Sequence, residues 1–164
     1  MVIVLMGVAG SGKTTIGRRL ARQLGWSFYE GDDFHPASNV EKMAQGIPLT
    51  DEDRAPWLAI LRSQILEILA RDESAVFTCS ALKQKYREQL LHDHKAVHFV
   101  YLKGEYDLIR RRLEQRRGHY MKEGLLQSQF DALEEPDAMI SMDISQPREV
   151  IVDAIIAKLD LNHR

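Results

Sequence analysis

The sequence predicts an α/β fold, a three-layer α/β/α sandwich on a five-stranded parallel sheet. Three observations lead there. Short apolar runs alternate along the chain with longer stretches of helical period, an order that implies parallel pairing through right-handed crossovers. The opening run Val2-Ile3-Val4-Leu5-Met6 carries no polar alternation, as a strand covered on both faces requires. A glycine-rich stretch joins that run directly to an amphipathic segment.

Residues 2–6 form the first strand. Residues 13–24 follow as a helix with Ile16, Leu20 and Leu24 on one stripe and Gly25 as its stop. Residues 27–30 fit a second, short strand, and 37–45 a helix closed by Gly46. Thr50, with Asp53 three residues on, has the form of a capping box. The helix behind it turns Trp57, Leu58, Leu61, Ile65, Ile68 and Leu69 toward a core. Residues 75–79 are a third strand, 83–91 a helix and 97–102 a fourth strand, followed by a strongly basic helix over about 105–117. Residues 118–129 show no clear period, and 130–133 fit the end of a short helix. Residues 139–144 make a fifth strand and 147–159 a last helix with Pro147 in its first turn. Ligands of such sheets gather at the carboxyl ends of the strands, so the loops after Met6, Glu30, Cys79 and Leu102 are expected to face one crevice.

At 164 residues the chain is the size of one ordinary domain, 45% apolar and 28% charged. Its 22 Lys and Arg oppose 24 Asp and Glu, a formal net charge of −2. That balance offers no general attraction to nucleic acid or an anionic membrane. The single cysteine, Cys79, has no internal disulfide partner, and no Cys/His cluster shows zinc-ligand spacing. The opening apolar run is too short to span a membrane and lacks a basic start. A reducing, cytoplasmic setting is expected.

Gly7-Val8-Ala9-Gly10-Ser11-Gly12-Lys13-Thr14 fits G-x-x-x-x-G-K-[ST] in full, between a strand and a helix, the context that pattern requires. Glycines let successive backbone N–H groups turn inward around phosphate, and the helix start adds its dipole. Lys13 is expected at the β- and γ-phosphates and the Thr14 hydroxyl at Mg²⁺, with Thr15 next to them on the same turn. A GTPase switch needs N-K-x-D and D-x-x-G segments, and neither string occurs. What remains is a compact kinase or an ATP-binding regulatory module without turnover.

Glu30-Gly31-Asp32-Asp33 opens onto the crevice from the second strand. Asp32 is the candidate base for an acceptor hydroxyl, or else an ordinary turn or cap acid; Asp33 reads as a cap. Arg54 follows the acids Asp51-Glu52-Asp53 and reads as part of a solvated helix start with an intrahelical ion pair. Lys83 and Arg87, four apart, share a helix face that either holds a carboxylate or transferred phosphate or lies in solvent. Arg110, Arg111, Arg112, Arg116 and Arg117 form the densest charge run, with His119 and Lys122 following. Such a run is either a solvated face or a mobile lid whose Arg112 and Arg116, at i and i+4, neutralise charge on the transferring phosphoryl.

With these segments placed, the chain resembles the gluconate kinases of the P-loop carbohydrate kinase type, similar in fold to shikimate kinase and the nucleoside monophosphate kinases. The stretches that carry the resemblance are GVAGSGKTT at 7–15, GDDFHPASNVEKMAQGIPLTDEDRAPWL at 31–58 and CSALKQKYR at 79–87. YLKG at 101–104, GHYMKEGLLQSQFDALEEP at 118–136 and DISQP at 143–147 extend it to the end of the chain. The resemblance implies one P-loop kinase domain over 1–164 with a lid around 117–130. It implies that ATP and D-gluconate yield 6-phospho-D-gluconate and ADP, with Mg²⁺, in a homodimer. By position it makes Asp32 the acceptor-side carboxylate, with His35 and Arg54 beside the substrate. Lys83, Arg87, His119 and Gln129 are further candidates for sugar-acid contacts. Arg112 and Arg116 are the phosphate-neutralising lid arginines, and Gln146-Pro147 the adenine-side wall. Related kinases often carry D-x-D after the second strand, where this chain has Glu30. Its extra methylene would shift a water-mediated Mg²⁺ contact, which favours Asp32 over Glu30 as the working acid.

Overall fold

In the computed structural model, residues 1–91, 93–116, 123–137 and 139–162 are described. Five strands lie in one parallel sheet: β1 (Val2–Met6), β2 (Ser27–Glu30), β3 (Ala75–Thr78), β4 (Val97–Lys103) and β5 (Ile140–Asp143), in the order β2-β3-β1-β4-β5. The helices are α1 (Lys13–Leu24), α2 (Ala37–Ala44), α3 (Asp51–Ala70), α4 (Gln84–Gln89), α5 (Tyr106–Glu114), α6 (Glu123–Ala132) and α7 (Arg148–Lys158). A 3₁₀ turn, Gly31–Phe34, continues directly from β2.

β1 takes the centre because it is apolar on both sides. Its Ile3 and Leu5 join a core with α1, α5 and α7, and its Val2, Val4 and Met6 join a second core with α3 and α4. Every residue of β1 is buried, so its lack of alternation reads correctly as two covered faces. Gly25, at φ 70°, ends α1 in the left-handed conformation. Thr50 and Asp53 close the expected capping box: the Asp53 N–H donates to Thr50 Oγ1 at 3.1 Å and the Thr50 N–H to Asp53 Oδ2 at 2.9 Å. Leu58, Leu61, Ile65 and Ile68 then bury against the sheet.

Four features differ from the sequence reading. The basic helix α5 stops at Glu114, so Arg116 lies beyond it and does not share a helical face with Arg112. α4 begins at Gln84, which puts Lys83 outside it as the N-cap. Pro36 precedes α2 with no side-chain cap, so Asp33 does not cap that helix. α6 occupies much of the stretch that showed no period, because only Leu125, Leu126 and its partly buried Phe130 mark its inner side.

Candidate active site

The carboxyl ends of β1, β2 and β3 converge because their register aligns them: Leu5 pairs with Thr78, and Glu30 with the same Thr78. The loop after β1 folds over these ends. Gly7, Gly10 and Gly12 have φ of 149°, 78° and 95°, a conformation side chains resist. The Gly7 N–H donates to Ser80 O at 3.2 Å and the Ser11 N–H to Val8 O at 3.2 Å. A Cβ on Gly10 would come within 2.8 Å of the Leu113 side chain, so α5 packs directly under the loop. Lys13 Nζ reaches back to Gly7 O and Val8 O, 3.0 Å each. Burial pushes its ammonium below the usual lysine value, against the opposing pull of Asp32, Cys79 and Glu30.

A cleft of about 580 Å³ runs beside this loop, lined by Gly10, Ser11, Gly12, Thr15, Arg112, Arg116, Pro147 and their neighbours. The expected adenine-side wall therefore meets the phosphate loop in one cavity. Ser11 Oγ is buried with no protein partner, as suits a group that faces a polar ligand. Arg112 donates from Nη2 to Ile144 O at 2.7 Å, tying α5 to the loop after β5. Arg116 borders the same cleft and is close enough to Lys13 to depress its ammonium further. Gln129, on α6, accepts a 2.7 Å hydrogen bond from the Ala9 N–H, so it holds the phosphate loop.

One chain of hydrogen bonds links the start of α1 to the ends of β2 and β3. The Thr14 hydroxyl donates to Glu30 Oε2, the Thr78 hydroxyl donates to Glu30 Oε1 at 2.6 Å, and the Gly31 N–H donates to Thr78 Oγ1 at 3.0 Å. Glu30, which its extra methylene seemed to disfavour, is thus the acid beside Thr14. With its hydrogen given to Glu30, the Thr14 oxygen keeps lone pairs for a cation. Among the described residues no group of three or more His, Cys, Asp or Glu is arranged to hold a metal ion. A kinase Mg²⁺ needs none, since phosphate oxygens and water fill most of its coordination.

Asp32 stands on the 3₁₀ turn with its side chain 70% exposed. Partial burial opposes its ionisation, yet the His35 contact and the Lys13 charge outweigh that and hold its carboxyl below the usual carboxylate range. The turn itself is clamped. Trp57 Nε1 donates to Gly31 O at 2.8 Å, and a Cβ on Gly31 would sit 1.9 Å from Thr78 O. His35 does not line the crevice as the resemblance implied: its side chain is 3% exposed and stacks on Trp57, centroids 4.0 Å apart.

Arg54 does not pair within its own helix. Its Nη1 donates to Leu49 O and, at 3.2 Å, to Tyr86 Oη, with the guanidinium 5.3 Å from the Tyr86 ring centre. Asp51 gathers Lys83 (3.3 Å), Lys85 and the Tyr86 hydroxyl. Burial and that carboxylate push the Tyr86 phenol up to about 12. Arg87 departs most from the sequence reading. It is 1% exposed; its Nη1 donates to Ala81 O (2.8 Å) and Leu82 O (3.2 Å), and its Nη2 to Gln84 Oε1 (3.2 Å) and Glu134 O (2.9 Å). It fastens the segment after α6 to the turn before α4 and does not face a substrate. Cys79 is buried, and burial raises its thiol to about 12, so it packs and does not react. His119, Arg117 and Lys122, and the first part of the expected lid, lie outside the described residues.

The AAA domain family matches residues 2–136. The chain is 44% identical over 160 residues to the thermosensitive gluconokinase of Escherichia coli (strain K12), covering 98% of this chain and 79% of that one. A crystal structure of a gluconokinase from Sinorhizobium meliloti 1021 superposes with a TM-score of 0.87 at 42% identity, over 97% of this chain and 91% of that one. The chain belongs to the gluconokinase family. Shikimate kinase from Bacteroides thetaiotaomicron shares the fold, with a TM-score of 0.68 at 20% identity over 98% of both chains. As a gluconokinase-family protein it is a P-loop kinase that binds nucleotide. Within that frame Thr78 and Trp57 hold the strand ends and the Asp32 turn in place, contacts that sequence reasoning passed over. The one usable signal was Thr78, a polar residue closing the otherwise apolar strand Ala75-Val76-Phe77-Thr78.

Proposed function

We propose that this protein transfers the γ-phosphoryl group of ATP to D-gluconate, giving 6-phospho-D-gluconate and ADP. What supports the reading is that the phosphate loop and the Asp32 turn meet at one end of the sheet, tied together through Thr14, Glu30 and Thr78, with Lys13 and Asp32 near enough to influence each other's charge. Lys13 and the amides of residues 7–15 hold the phosphates, and Pro147 closes the base side of the cleft. Ionised at neutral pH, Asp32 accepts the proton of the attacking hydroxyl. Mg²⁺, when bound at Thr14 and the phosphates, neutralises charge that develops on the transferring group. Glu30 orients Thr14 for that contact. Arg116, which lines the cleft, supplies further positive charge, while Arg112 braces the nucleotide wall.

A sugar acid presents one carboxylate and several hydroxyls, which suits Arg54 and Lys83; the resemblance adds His119 and Gln129 as further contacts. The same reading takes 1–164 as one kinase domain, working in the cytoplasm as a homodimer, which sedimentation velocity would check. Among the described residues no helix is long and apolar enough to cross a membrane. ADP release should be measured with D-gluconate, other aldonic acids, shikimate and nucleoside monophosphates as acceptors. D-gluconate should turn over fastest by far; equal turnover of shikimate would overturn the assignment.

A further inference from the structure

We propose that His35 is a positioning residue for Asp32, held as its Nε2–H tautomer by Asn39 and aimed at the Asp32 carboxylate. This rests on the reading of Asp32 as the base. The tautomer follows from hydrogen-bond accounting. Asn39 Nδ2 lies 2.8 Å from Asp53 O and 3.2 Å from His35 Nδ1. A main-chain carbonyl only accepts, so the Asn39 group facing Asp53 O is the NH₂, and a flipped amide would set two oxygens against each other. The second hydrogen of that NH₂ then points at His35 Nδ1, which must accept it. The ring proton is left on Nε2, which faces Asp32 Oδ1 at 3.7 Å.

The ring cannot turn away. It is 3% exposed, stacked on Trp57 at 4.0 Å and 19°, and Trp57 is itself tied to Gly31 O at 2.8 Å. Asn39 is 2% exposed, and its acceptor Asp53 is anchored by Lys42 at 2.9 Å. Asp32, by contrast, is 70% exposed. His35 is therefore the fixed donor and Asp32 the side chain that swings, and a modest rotation of the carboxylate brings 3.7 Å to hydrogen-bond length. Once it has done so, one carboxylate oxygen is committed to His35. The other is left for the acceptor hydroxyl. The long motif His35-Pro36-x-x-Asn39-x-x-Lys42, with Asp53 and Trp57 further on, thereby serves to aim a single carboxylate.

The ring nitrogens of His35 report the tautomer directly. In ¹⁵N-labelled protein, with the His35 signals assigned by their loss in His35→Gln, Nε2 should carry the proton and Nδ1 none. A proton on Nδ1 would overturn the proposal, whatever the kinetics. His35→Phe keeps the stack on Trp57 and removes the donor; it should lower kcat by about 10- to 100-fold, the scale of a hydrogen bond to a charged group, with KM for ATP unchanged. His35→Gln, which retains a donor, should recover much of that loss. In an Asp32→Asn background the His35→Phe effect should vanish, since the two groups act as one unit. A full His35→Phe loss in that background would show that His35 merely supports the fold. Wild-type turnover in Asp32→Asn alone would instead sink the base assignment and leave the tautomer result standing.

Discussion

Thr78 gives the sharpest test of how the strand ends are joined. Thr78→Val keeps the shape and removes a hydroxyl that accepts from the Gly31 N–H and donates to Glu30. Gly31 is buried, so its N–H would be stranded without water, a cost of about 1–3 kcal/mol. Glu30 is only partly buried and recovers some hydration, so its lost bond adds the smaller share. The sum is about 2–3 kcal/mol, and at about 2–4 °C per kcal/mol for a chain of this length Tm should fall by roughly 5–10 °C. Freed from Thr78, Glu30 also fixes the Thr14 hydroxyl less well, so the Mg²⁺ concentration for half-maximal rate should rise several-fold. Calorimetry and a Mg²⁺ titration of the coupled ADP assay read both effects. Thr78→Ser, which keeps the hydroxyl, should restore the Mg²⁺ response. A Thr78→Val protein that melts with the wild type and keeps its Mg²⁺ response would refute the linkage.

Other perturbations separate the parts of the site. Gly31→Ala places a Cβ 1.9 Å from the Thr78 carbonyl oxygen, and backbone must move; a loss of about 3 kcal/mol or more in urea unfolding is expected. Arg112→Ala should raise KM for ATP with little change in KM for the acceptor, because its bond to Ile144 O braces the nucleotide wall. Asp53 is held down to about 2, first by the Thr50 N–H and then by Lys42. A depressed folded pKa means that its stabilisation is present above the ordinary value of 3.8 and drains away as pH falls toward about 2. The Tm gap between wild type and Asp53→Asn should thus be constant from neutral pH down to about 5 and close below about 4. Because Asp32 is also held low, kcat should show no acid limb from it between about pH 6 and 8.

The centre of the sheet was legible because β1 and β3 carry their burial in their composition: Val2 to Met6 and Ala75 to Phe77 have nothing polar to turn outward. The phosphate loop was legible because its glycines answer a backbone requirement, seen in the positive φ of Gly7, Gly10 and Gly12. Contacts across long separations were not. Spacing leaves Arg87 either a ligand contact or a solvated cation, and its burial rests on the carbonyls of Ala81, Leu82 and Glu134, the last 47 residues on. Glu30 seemed the lesser acid until the pairing of β2 with β3 set it opposite Thr78. The resemblance sets His35 beside the substrate, and its stack on Trp57 makes it a buried support instead. The lid arginines were read as one face, which required a helix reaching Arg116, and α5 ends at Glu114, short of it.

The most direct test is a single-turnover experiment on Asp32→Asn with saturating ATP, Mg²⁺ and D-gluconate, alongside calorimetric binding of a non-hydrolysable ATP analogue. Binding of the analogue should stay within about two-fold of wild type, because residues 7–15 are untouched, while phosphoryl transfer slows by about 10²-fold or more. Transfer at the wild-type rate would contradict the assignment of Asp32, and with it the crevice between Lys13 and Asp32 as the place of reaction.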